Sequence, residues 1–302
     1  MKAGYAALVG RPNVGKSTLM NRMIGQKIAI TSDRPQTTRK RIETVYTDER
    51  GQIIFVDTPG IHKAKNKLGE YMDAVAEKSF GDADVILWIV EPVTRIGAGE
   101  ERIAALLGAA VKKNKPVVLV INKTDTRKNP EEITEVIRAY KEKCSYREIV
   151  CVSALTGKNE DELMDVIFRF LPEGPLLYDE ETVTQIPVRE IAAELIREQM
   201  LKILKEEIPH GTAVMIEKFT ERRDGLCDIQ ADIICERDSH KGIILGRGGE
   251  MLKRIGTAAR LEIEELTGTR VNLRLFVKVR KNWRDHEGFI RSYGYDPGRT
   301  GG

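Results

Sequence analysis

Short apolar runs alternate with longer helix-like stretches over the first part of the chain, and this alternation restricts the fold more than any other feature. The runs are Tyr5–Val9, Ile53–Val56, Val85–Val90, Val117–Ile121 and Ile149–Val152. Continuous apolar strands separated by helices are typical of a mainly parallel sheet with helices on both faces. The sequence therefore predicts an α/β domain over residues 1–172, which closes with an amphipathic helix near 159–170.

A break in this pattern divides the chain in two. Pro172, Gly174 and Pro175 fall within four residues, and an acidic stretch follows. Residues 173–184 are therefore predicted as a linker. Beyond it we expect a helix near 189–207 and then strands of alternating polarity, in which the inward residues include Cys227 and Cys235. Residues 185–302 are predicted to form a smaller α+β domain, with two helices on one face of a three-stranded sheet.

The composition excludes several classes of protein. Of the 302 residues 41% are hydrophobic and 31% charged, which argues against global disorder and against a fibrous repeat. The longest apolar run, Val85–Val90, is far shorter than the roughly 20 residues of a membrane-spanning helix. The N-terminus enters a strand-like run at once without signal-peptide character, and the four cysteines form no C-x-x-C pair. We therefore expect a soluble cytoplasmic protein.

A phosphate-binding motif follows the first apolar run. Residues 10–17 read GRPNVGKS, which matches G-x-x-x-x-G-K-[ST] between a strand and a helix. Backbone N–H groups of such a loop surround phosphate oxygens at a helix N-terminus. Lys16 is predicted to reach the β- and γ-phosphates, and Ser17 is predicted to ligate Mg²⁺.

Three further motifs lie at the ends of predicted strands. Residues 57–60 (DTPG) place a carboxylate for the metal and a glycine N–H for the γ-phosphate, although a plain strand-end turn has the same composition. Residues 122–125 (NKTD) place Asp125 where it can accept two hydrogen bonds from guanine. A backbone N–H of Ser153 or Ala154 is predicted to bind the guanine carbonyl. His62, beside the second motif, is interpreted as a surface histidine.

These motifs resemble the Era family of P-loop GTPases over almost the whole chain. The matching stretches are GRPNVGKST (10–18), PQTTRKR (35–41), DTPG (57–60), NKTD (122–125), SAL (153–155), IILGRGGEMLKRIG (243–256) and VKVRKNWR with a following GY (277–295). The resemblance implies a P-loop GTPase domain followed by a type II KH domain with a C-terminal extension. It also implies a GTPase that binds the single-stranded 3′ end of 16S small-subunit ribosomal RNA and assists assembly and maturation of the small ribosomal subunit.

The candidate site residues fall into three groups. The set for GTP or GDP is Gly10, Arg11, Pro12, Asn13, Val14, Gly15, Lys16, Ser17, Thr18, Asp57, Thr58, Pro59, Gly60, Asn122, Lys123, Thr124, Asp125, Ser153 and Ala154. Asn13, Lys16 and Thr38 are the catalytic candidates, and Ser17, Thr38 and Asp57 are the Mg²⁺ candidates, with Thr37 an alternative to Thr38. The RNA-binding candidates are Lys241, Ile244, Gly246, Arg247, Gly248, Gly249, Lys253 and Arg254.

The RNA-binding assignment also depends on charge. Residues 241–291 contain 12 Lys and Arg against 6 Asp and Glu, which indicates either a site for an anionic partner or an ordinary solvated surface. The G-x-x-G at 246–249 would let an RNA backbone approach the peptide chain, and a side chain at Gly246 or Gly249 is expected to block it. Trp283 is predicted either to stack on a base or to anchor the C-terminal segment.

Slow hydrolysis is expected because Ile61 occupies the position at which many switch GTPases carry a water-orienting glutamine. Asn13 lies where similar P-loop GTPases place a potassium ligand, so K⁺ is a candidate cofactor. Two alternatives stay open: an RNA chaperone with nucleotide as a structural cofactor, and a GTPase associated peripherally with the inner face of the cell membrane. The absence of a basic amphipathic end or acylation signal argues against the second, and we expect a monomer.

Overall fold

The structure is a computed structural model that describes residues 1–61 and 64–296. His62 and residues 297–302 of the predicted second domain lie outside the described part. No helix within that part is both long enough and apolar enough to cross a bilayer.

The first domain contains a six-stranded sheet in the order β2-β3-β1-β4-β5-β6, parallel throughout except for the β2–β3 pair. The strands are β1 (Lys2–Val9), β2 (Ile42–Asp48), β3 (Gly51–Asp57), β4 (Val85–Val90), β5 (Val117–Ile121) and β6 (Glu148–Cys151). The helices are α1 (Lys16–Ile24), α2 (Lys67–Asp82), α3 (Ala98–Lys112), α4 (Pro130–Lys141) and α5 (Glu160–Phe170). The predicted mainly parallel sheet is confirmed.

Both faces of this sheet are covered, because alternate residues of each central strand enter different cores. In β4, Leu87 and Ile89 pack into one cluster, whereas Ile86 and Trp88 pack into the other. Trp88 is fully buried, as the continuous apolar run Val85–Val90 leads one to expect. The cluster that contains Leu87 continues without interruption into the second domain.

Strand β2 was absent from the predicted strands. It is an edge strand, antiparallel to β3, in which buried and half-buried residues are mixed along IETVYTD. Continuous apolar runs predict strands that are buried on both faces, and an edge strand such as β2 has no such run.

The second domain has a three-stranded sheet in the order β7-β8-β9, with β7 antiparallel and β9 parallel to β8. Its elements are α6 (Val188–Ile203), β7 (Ala213–Glu221), β8 (Leu226–Cys235), α7 (Asp238–Leu245), α8 (Glu250–Thr267), β9 (Arg270–Val279) and α9 (Glu287–Ser292). Cys227 and Cys235 are buried as predicted. The short helix α7 leads into the G-x-x-G loop and packs against α8 and β9. Helix α6 ends at Ile203, before the predicted 207, because Leu204 is extended.

The segment between the two sheets lies along the first domain. The side-chain oxygen of Gln52 accepts hydrogen bonds from the N–H groups of Leu177 and Tyr178, both at 2.9 Å. The Val45 N–H donates to the Val183 carbonyl at 2.7 Å. Residues 173–184 are therefore held against the edge formed by β2 and β3, while the exact domain limits stay a prediction.

Trp283 is an anchor within the protein. Its side chain is fully buried, and its indole N–H donates to the Gly211 carbonyl at 2.9 Å. Its ring packs at 6.2 Å between centroids on Tyr295, which in turn packs at 6.0 Å on Tyr71 of α2. The C-terminal segment thereby fastens the second domain to the helix that follows the DTPG motif.

Candidate nucleotide site and RNA groove

The loop of residues 10–15 connects β1 to α1 and forms the floor of a cavity of about 600 Å³. Gly15 has φ 95°, and a Cβ there would collide with the Asn122 amide. The buried Lys16 ammonium donates to the carbonyls of Gly10 at 3.2 Å and Arg11 at 3.1 Å. Burial lowers the pKa of Lys16, while Asp57 opposes that shift. The lysine is thus held across the loop that is predicted to bind phosphate.

The three predicted metal ligands meet at one point. The Ser17 hydroxyl donates to Asp57 Oδ2 at 2.5 Å, the Thr38 hydroxyl donates to the same oxygen at 3.2 Å, and the two hydroxyls lie 3.0 Å apart. Thr37 points elsewhere, because its hydroxyl donates to the Arg34 carbonyl at 2.7 Å. The geometry therefore favours Thr38 over Thr37.

This cluster fits a hard divalent cation. Asp57 is completely buried, and its Oδ1 has no hydrogen-bond partner among the described residues. Burial raises the pKa of Asp57, and the Lys16 charge counteracts it. A buried carboxylate oxygen beside two hydroxyls is the kind of oxygen donor set that Mg²⁺ prefers.

Asn13 and Ile61 differ in what they can contribute. The Asn13 amide donates to the Asp33 carbonyl at 2.5 Å, so it contacts the segment that carries Thr38. Ile61 is buried in the core between the sheet and α2, α3 and α4. It presents no polar group to the cavity, in agreement with its role in the prediction of slow hydrolysis.

The base-recognition motifs form one bonded unit. Asn122 is buried, donates to the Val14 carbonyl at 2.8 Å and accepts the Ala154 N–H at 2.9 Å. The Asp125 carboxylate accepts a hydrogen bond from the Ser153 hydroxyl at 2.5 Å. The Ser153 N–H donates to the Lys158 carbonyl at 3.2 Å, so both candidate N–H groups have partners inside the protein. The contact of one of them with a guanine carbonyl stays a prediction.

Several predicted nucleotide residues have structural contacts. The Thr58 hydroxyl donates to the Leu8 carbonyl at 2.9 Å, and the Thr124 hydroxyl donates to the Val152 carbonyl at 2.9 Å. Val14 is buried in the core. At Gly60 a Cβ would lie 2.6 Å from the nitrogen of Pro12, so a glycine is required where these two loops meet.

The segment of residues 31–39 is bound on its outer side to the second domain. The Thr31 N–H donates to Glu198 at 2.9 Å, and Arg39, fully buried, donates to the carbonyls of Thr212 at 2.6 Å and His210 at 2.8 Å. Sequence reasoning assigned no role to Arg39 or Glu198. The only available signal was their charge, and burial of a charge is not visible in a sequence.

The G-x-x-G loop separates α7 from α8 and requires its glycines for backbone reasons. Gly248 and Gly249 have φ 59° and 83°, and nothing lies within 4 Å of a Cβ built on either. At Gly246 (φ 71°) a Cβ would lie 2.6 Å from the Cβ of Met251. A side chain at Gly246 would therefore collide within the protein, and the expectation that it would also block RNA stays a prediction.

A groove of about 340 Å³ runs along α8 and β9 beside this loop. Its lining is apolar at the centre with basic side chains, namely Gly249, Leu252, Lys253, Gly256, Thr257, Arg260, Leu273 and Leu275. Arg247, Lys253 and Arg254 are exposed, as an RNA contact requires, and Lys241 is half-buried. The placement of Ile244 among RNA-binding residues was wrong, because its side chain is fully buried in the core.

Arg260, Leu273 and Leu275 were missed as groove residues. Lys253, Gly256 and Arg260 recur at three and four along α8, so they share one helix face. That spacing was the available signal for Arg260. The opposing leucines alternate with polar residues along β9, as core residues of a strand also do.

Comparison with known proteins identifies the family. A family model described as 50S ribosome-binding GTPase matches residues 5–123, and a KH domain model matches residues 207–284. GTPase Era of Clostridioides difficile (strain 630) is 50% identical over 296 residues, covering 98% of this chain and 99% of that protein. The chain belongs to the Era family of GTPases. GTPase Era of Geobacter metallireducens is 46% identical, covering 97% of the chain and 98% of that protein.

Two solved Era structures share the whole architecture. An Aquifex aeolicus Era variant bound to GDP·AlF₄⁻ superposes with a TM-score of 0.93 at 39% identity, covering 98% of this chain and 99% of that one. Era in complex with MgGDPNP and nucleotides 1506–1542 of 16S ribosomal RNA superposes with a TM-score of 0.92, at the same identity and coverage. The predictions of an Era-family GTPase and of a P-loop domain followed by a KH domain are confirmed.

Proposed function

We propose that this chain hydrolyses GTP to GDP and phosphate in the P-loop cavity, binds the 3′ end of 16S ribosomal RNA through its KH groove, and assists assembly and maturation of the small ribosomal subunit. One observation carries the proposal. The chain has a P-loop cavity with a buried hydroxyl–carboxylate cluster and a basic-edged groove, and over 98% of its length it superposes on an Era protein solved with MgGDPNP and 16S ribosomal RNA.

In the nucleotide site, backbone N–H groups of residues 10–17 and the Lys16 ammonium bind the phosphates. Ser17, Thr38 and Asp57 hold Mg²⁺, which neutralises phosphate charge when bound. Asp125 accepts hydrogen bonds from the Watson–Crick N–H groups of guanine, and Asn122 keeps the base motif attached to the phosphate loop.

Hydrolysis is slow and depends on potassium in this proposal. No glutamine follows Gly60, and Ile61 is buried, so the chain lacks the usual group for orienting the attacking water. Asn13 is proposed as a K⁺ ligand. Its contact with the Asp33 carbonyl places it at the boundary between the phosphate loop and the segment that carries Thr38.

The KH groove binds a short single strand. Leu273 and Leu275 provide an apolar surface for unstacked bases, while Arg247, Lys253 and Arg260 neutralise phosphates. The positive-φ glycines leave open space above the loop where an RNA backbone can lie. A duplex does not offer its bases to such a groove, so single-stranded RNA is the preferred ligand. We further propose that the protein acts in the cytoplasm, where its RNA partner is found, as a monomer.

Crosslinking with sequencing of the bound RNA, with and without a non-hydrolysable GTP analogue, tests the RNA partner. We expect enrichment at the 3′ end of 16S ribosomal RNA, and an even spread over total RNA would contradict the assignment. Single-turnover GTP hydrolysis without RNA tests the activity itself. Release of phosphate at a rate that Lys16→Ala abolishes supports a GTPase, whereas binding without any hydrolysis supports an RNA chaperone with a structural nucleotide.

A further inference from the structure

One wall of the nucleotide cavity belongs to the second domain. Leu201 and Lys202, near the end of α6, line the cavity together with Gly15, Lys16 and the segment of residues 30–38. Every other lining residue belongs to the first domain. The cavity is therefore complete only while the two domains are docked.

Two bonds hold this part of α6 in place. On one side of it, Glu198 accepts the Thr31 N–H at 2.9 Å. On the other side, the Arg34 guanidinium donates to the Leu204 carbonyl at 2.6 Å. Because Lys202 lies between these two attachment points, its backbone has a fixed position against residues 31–34.

The Lys202 ammonium is only loosely engaged by its neighbours. It lies 3.3 Å from one oxygen of Glu198 and 3.3 Å from one oxygen of Glu262. Lys27 bonds the other oxygens of the same carboxylates much more closely, at 2.6 Å and 2.5 Å. Charged hydrogen bonds are normally about 2.7–2.9 Å long, so Lys27 is the main partner of both acids.

Lys202 can therefore turn toward a ligand without leaving a buried carboxylate unpaired. Its side chain is 42% exposed, whereas that of Glu198 is fully buried and keeps its bonds to Lys27 and Thr31. The other charged groups that line the cavity are Lys16, Arg34, Lys123 and Asp33. Three cations and one acid around a phosphate-binding loop form a surface that suits a polyanion, and Lys202 of the second domain adds a fourth cation.

We propose that Lys202 binds the phosphate groups of the nucleotide, so that the second domain supplies a direct contact to a nucleoside di- or triphosphate held by the P-loop. This inference rests on the proposed nucleotide site. It makes Lys202 a binding residue that acts only in the docked arrangement. By thermodynamic reciprocity, nucleotide binding then stabilises docking by the same factor by which docking strengthens nucleotide binding.

The test measures GTP and GDP affinity by calorimetry in the full chain with Mg²⁺, for the parent, Lys202→Met, Lys202→Arg and the control Lys205→Met. Lys205 is an exposed lysine three residues further on that does not line the cavity. We expect Lys202→Met to weaken the binding of at least one of the two nucleotides about tenfold, which is equivalent to about 1.4 kcal/mol of binding free energy. Lys202→Arg should retain most of the affinity because the charge remains, and Lys205→Met should match the parent. Unchanged affinity in Lys202→Met would overturn the proposal.

A purely structural role for Lys202 is distinguished by Glu262→Gln. This variant weakens the ionic cluster that joins α6 to α8 but leaves the Lys202 charge in place. We expect it to lower thermal stability and to preserve nucleotide affinity. Equal losses of nucleotide affinity in Glu262→Gln and Lys202→Met would show that Lys202 acts only by holding the two domains together. That result would overturn the direct contact. If the parent itself binds no GTP, the proposed nucleotide site is wrong as well. If the parent and Lys202→Met both bind GTP normally, only the role of Lys202 is wrong.

Discussion

The Arg197 guanidinium in α6 donates a hydrogen bond to the carbonyl oxygen of Thr37, the residue directly before Thr38. Thr38 in turn contacts Asp57 in the cluster that fits Mg²⁺. Arg197 is fully buried and also bonds Glu194, with its Nε at 3.2 Å and 3.1 Å from the two carboxylate oxygens. One peptide unit therefore separates the proposed metal site from an ion pair of the second domain in which the arginine is fully buried.

Thr38 is held in the same way from its other side. Arg39 follows it in the chain and donates to two carbonyls of the second domain. Any nucleotide-dependent movement of Thr38 must therefore displace contacts made by residues 37 and 39. We infer that this segment is the element through which the nucleotide state and RNA presentation affect each other, in the manner of ligand-ordered switch loops.

Arg197→Met tests this connection. Loss of the arginine leaves the half-buried Glu194 without its partner. Removal of one member of a fully buried ion pair typically costs about 3–5 kcal/mol, and partial exposure of Glu194 reduces this cost. We expect a lower free energy of unfolding and a weaker effect of RNA on the rate of GTP hydrolysis. Denaturant titration and single-turnover hydrolysis with and without RNA measure the two quantities.

The double variant Arg197→Met with Glu194→Gln is the matched control, because it removes both charges. Its stability should be closer to that of the parent, while the coupling between RNA and hydrolysis should stay weak. Full coupling in the double variant would show that the bond to Thr37 is not needed for it.

Asp125→Asn should change the preferred base. In the proposed site, Asp125 accepts hydrogen bonds from guanine, and a wrong base would leave its carboxylate unpaired at considerable cost. An asparagine presents a donor, which suits the carbonyl of xanthine. Competition binding should show weaker GTP binding and stronger xanthosine triphosphate binding. Equal affinity of the unmodified protein for ATP and GTP would contradict the assignment of this motif.

The sequence was sufficient for features that depend on local spacing. The parallel strands follow from continuous apolar runs. The convergence of Ser17 with Asp57 follows because the phosphate loop after β1 and the end of the neighbouring strand β3 lie at the same edge of the sheet. Features that depend on packing between distant segments were not accessible. Ile244 has the same local pattern whether it faces RNA or the core, and only the position of the sheet beneath it decides.

The interface between the domains shows the same limit. Lys202 and Arg39 are ordinary basic residues in the sequence, and their roles arise from docking of α6 against residues 31–39. Arg197 and Thr37 lie 160 residues apart in the sequence, and no local pattern predicts a contact over that distance.

Hydrolysis should be slow and sensitive to the monovalent cation. With Ile61 buried in place of a glutamine, we expect an intrinsic rate on the order of 10⁻³ s⁻¹ or lower. Replacement of Na⁺ by K⁺ should raise the rate, and Asn13→Ala should remove that increase. Phosphate release in matched chloride salts measures both effects, and identical rates in the two cations would remove potassium from the proposal.

Stability in acid should depend on Glu262. Burial raises the pKa of Glu262, but hydrogen bonding to Lys27 outweighs this effect and lowers the pKa to about 2. A carboxyl whose pKa is lower in the folded state stabilises the protein above its unfolded pKa of about 4.3, and this contribution disappears as the pH falls toward 2. Glu262→Gln should therefore reduce the loss of stability between about pH 4.3 and 2, as measured by thermal unfolding. The control Glu265→Gln, at an exposed position of the same helix, should retain the parent's profile.

Tight RNA binding should depend on the glycines of the G-x-x-G loop. In a Gly248→Asp, Gly249→Asp variant, two carboxylates occupy the open space above the loop and repel phosphate. Aspartate tolerates positive φ better than most residues, so the backbone cost stays modest. We expect loss of single-stranded RNA binding with unchanged GTP binding. Arg247→Ala should give a smaller loss, and its affinity should depend less steeply on salt by about one phosphate contact.

Gly268→Asp supplies the matched control for this prediction. Gly268 ends α8 with φ 65° and has open space where a Cβ would lie, as Gly248 and Gly249 do, but it is at the far end of the helix from the loop. The substitution reproduces the backbone strain and the added charge without altering the RNA groove. Fluorescence anisotropy with a short labelled RNA should therefore give the parent's affinity for Gly268→Asp and no binding for the double variant. If the double variant binds like the parent, or if duplex RNA competes as well as a single strand, then the basic segment of residues 241–291 is only a solvated surface.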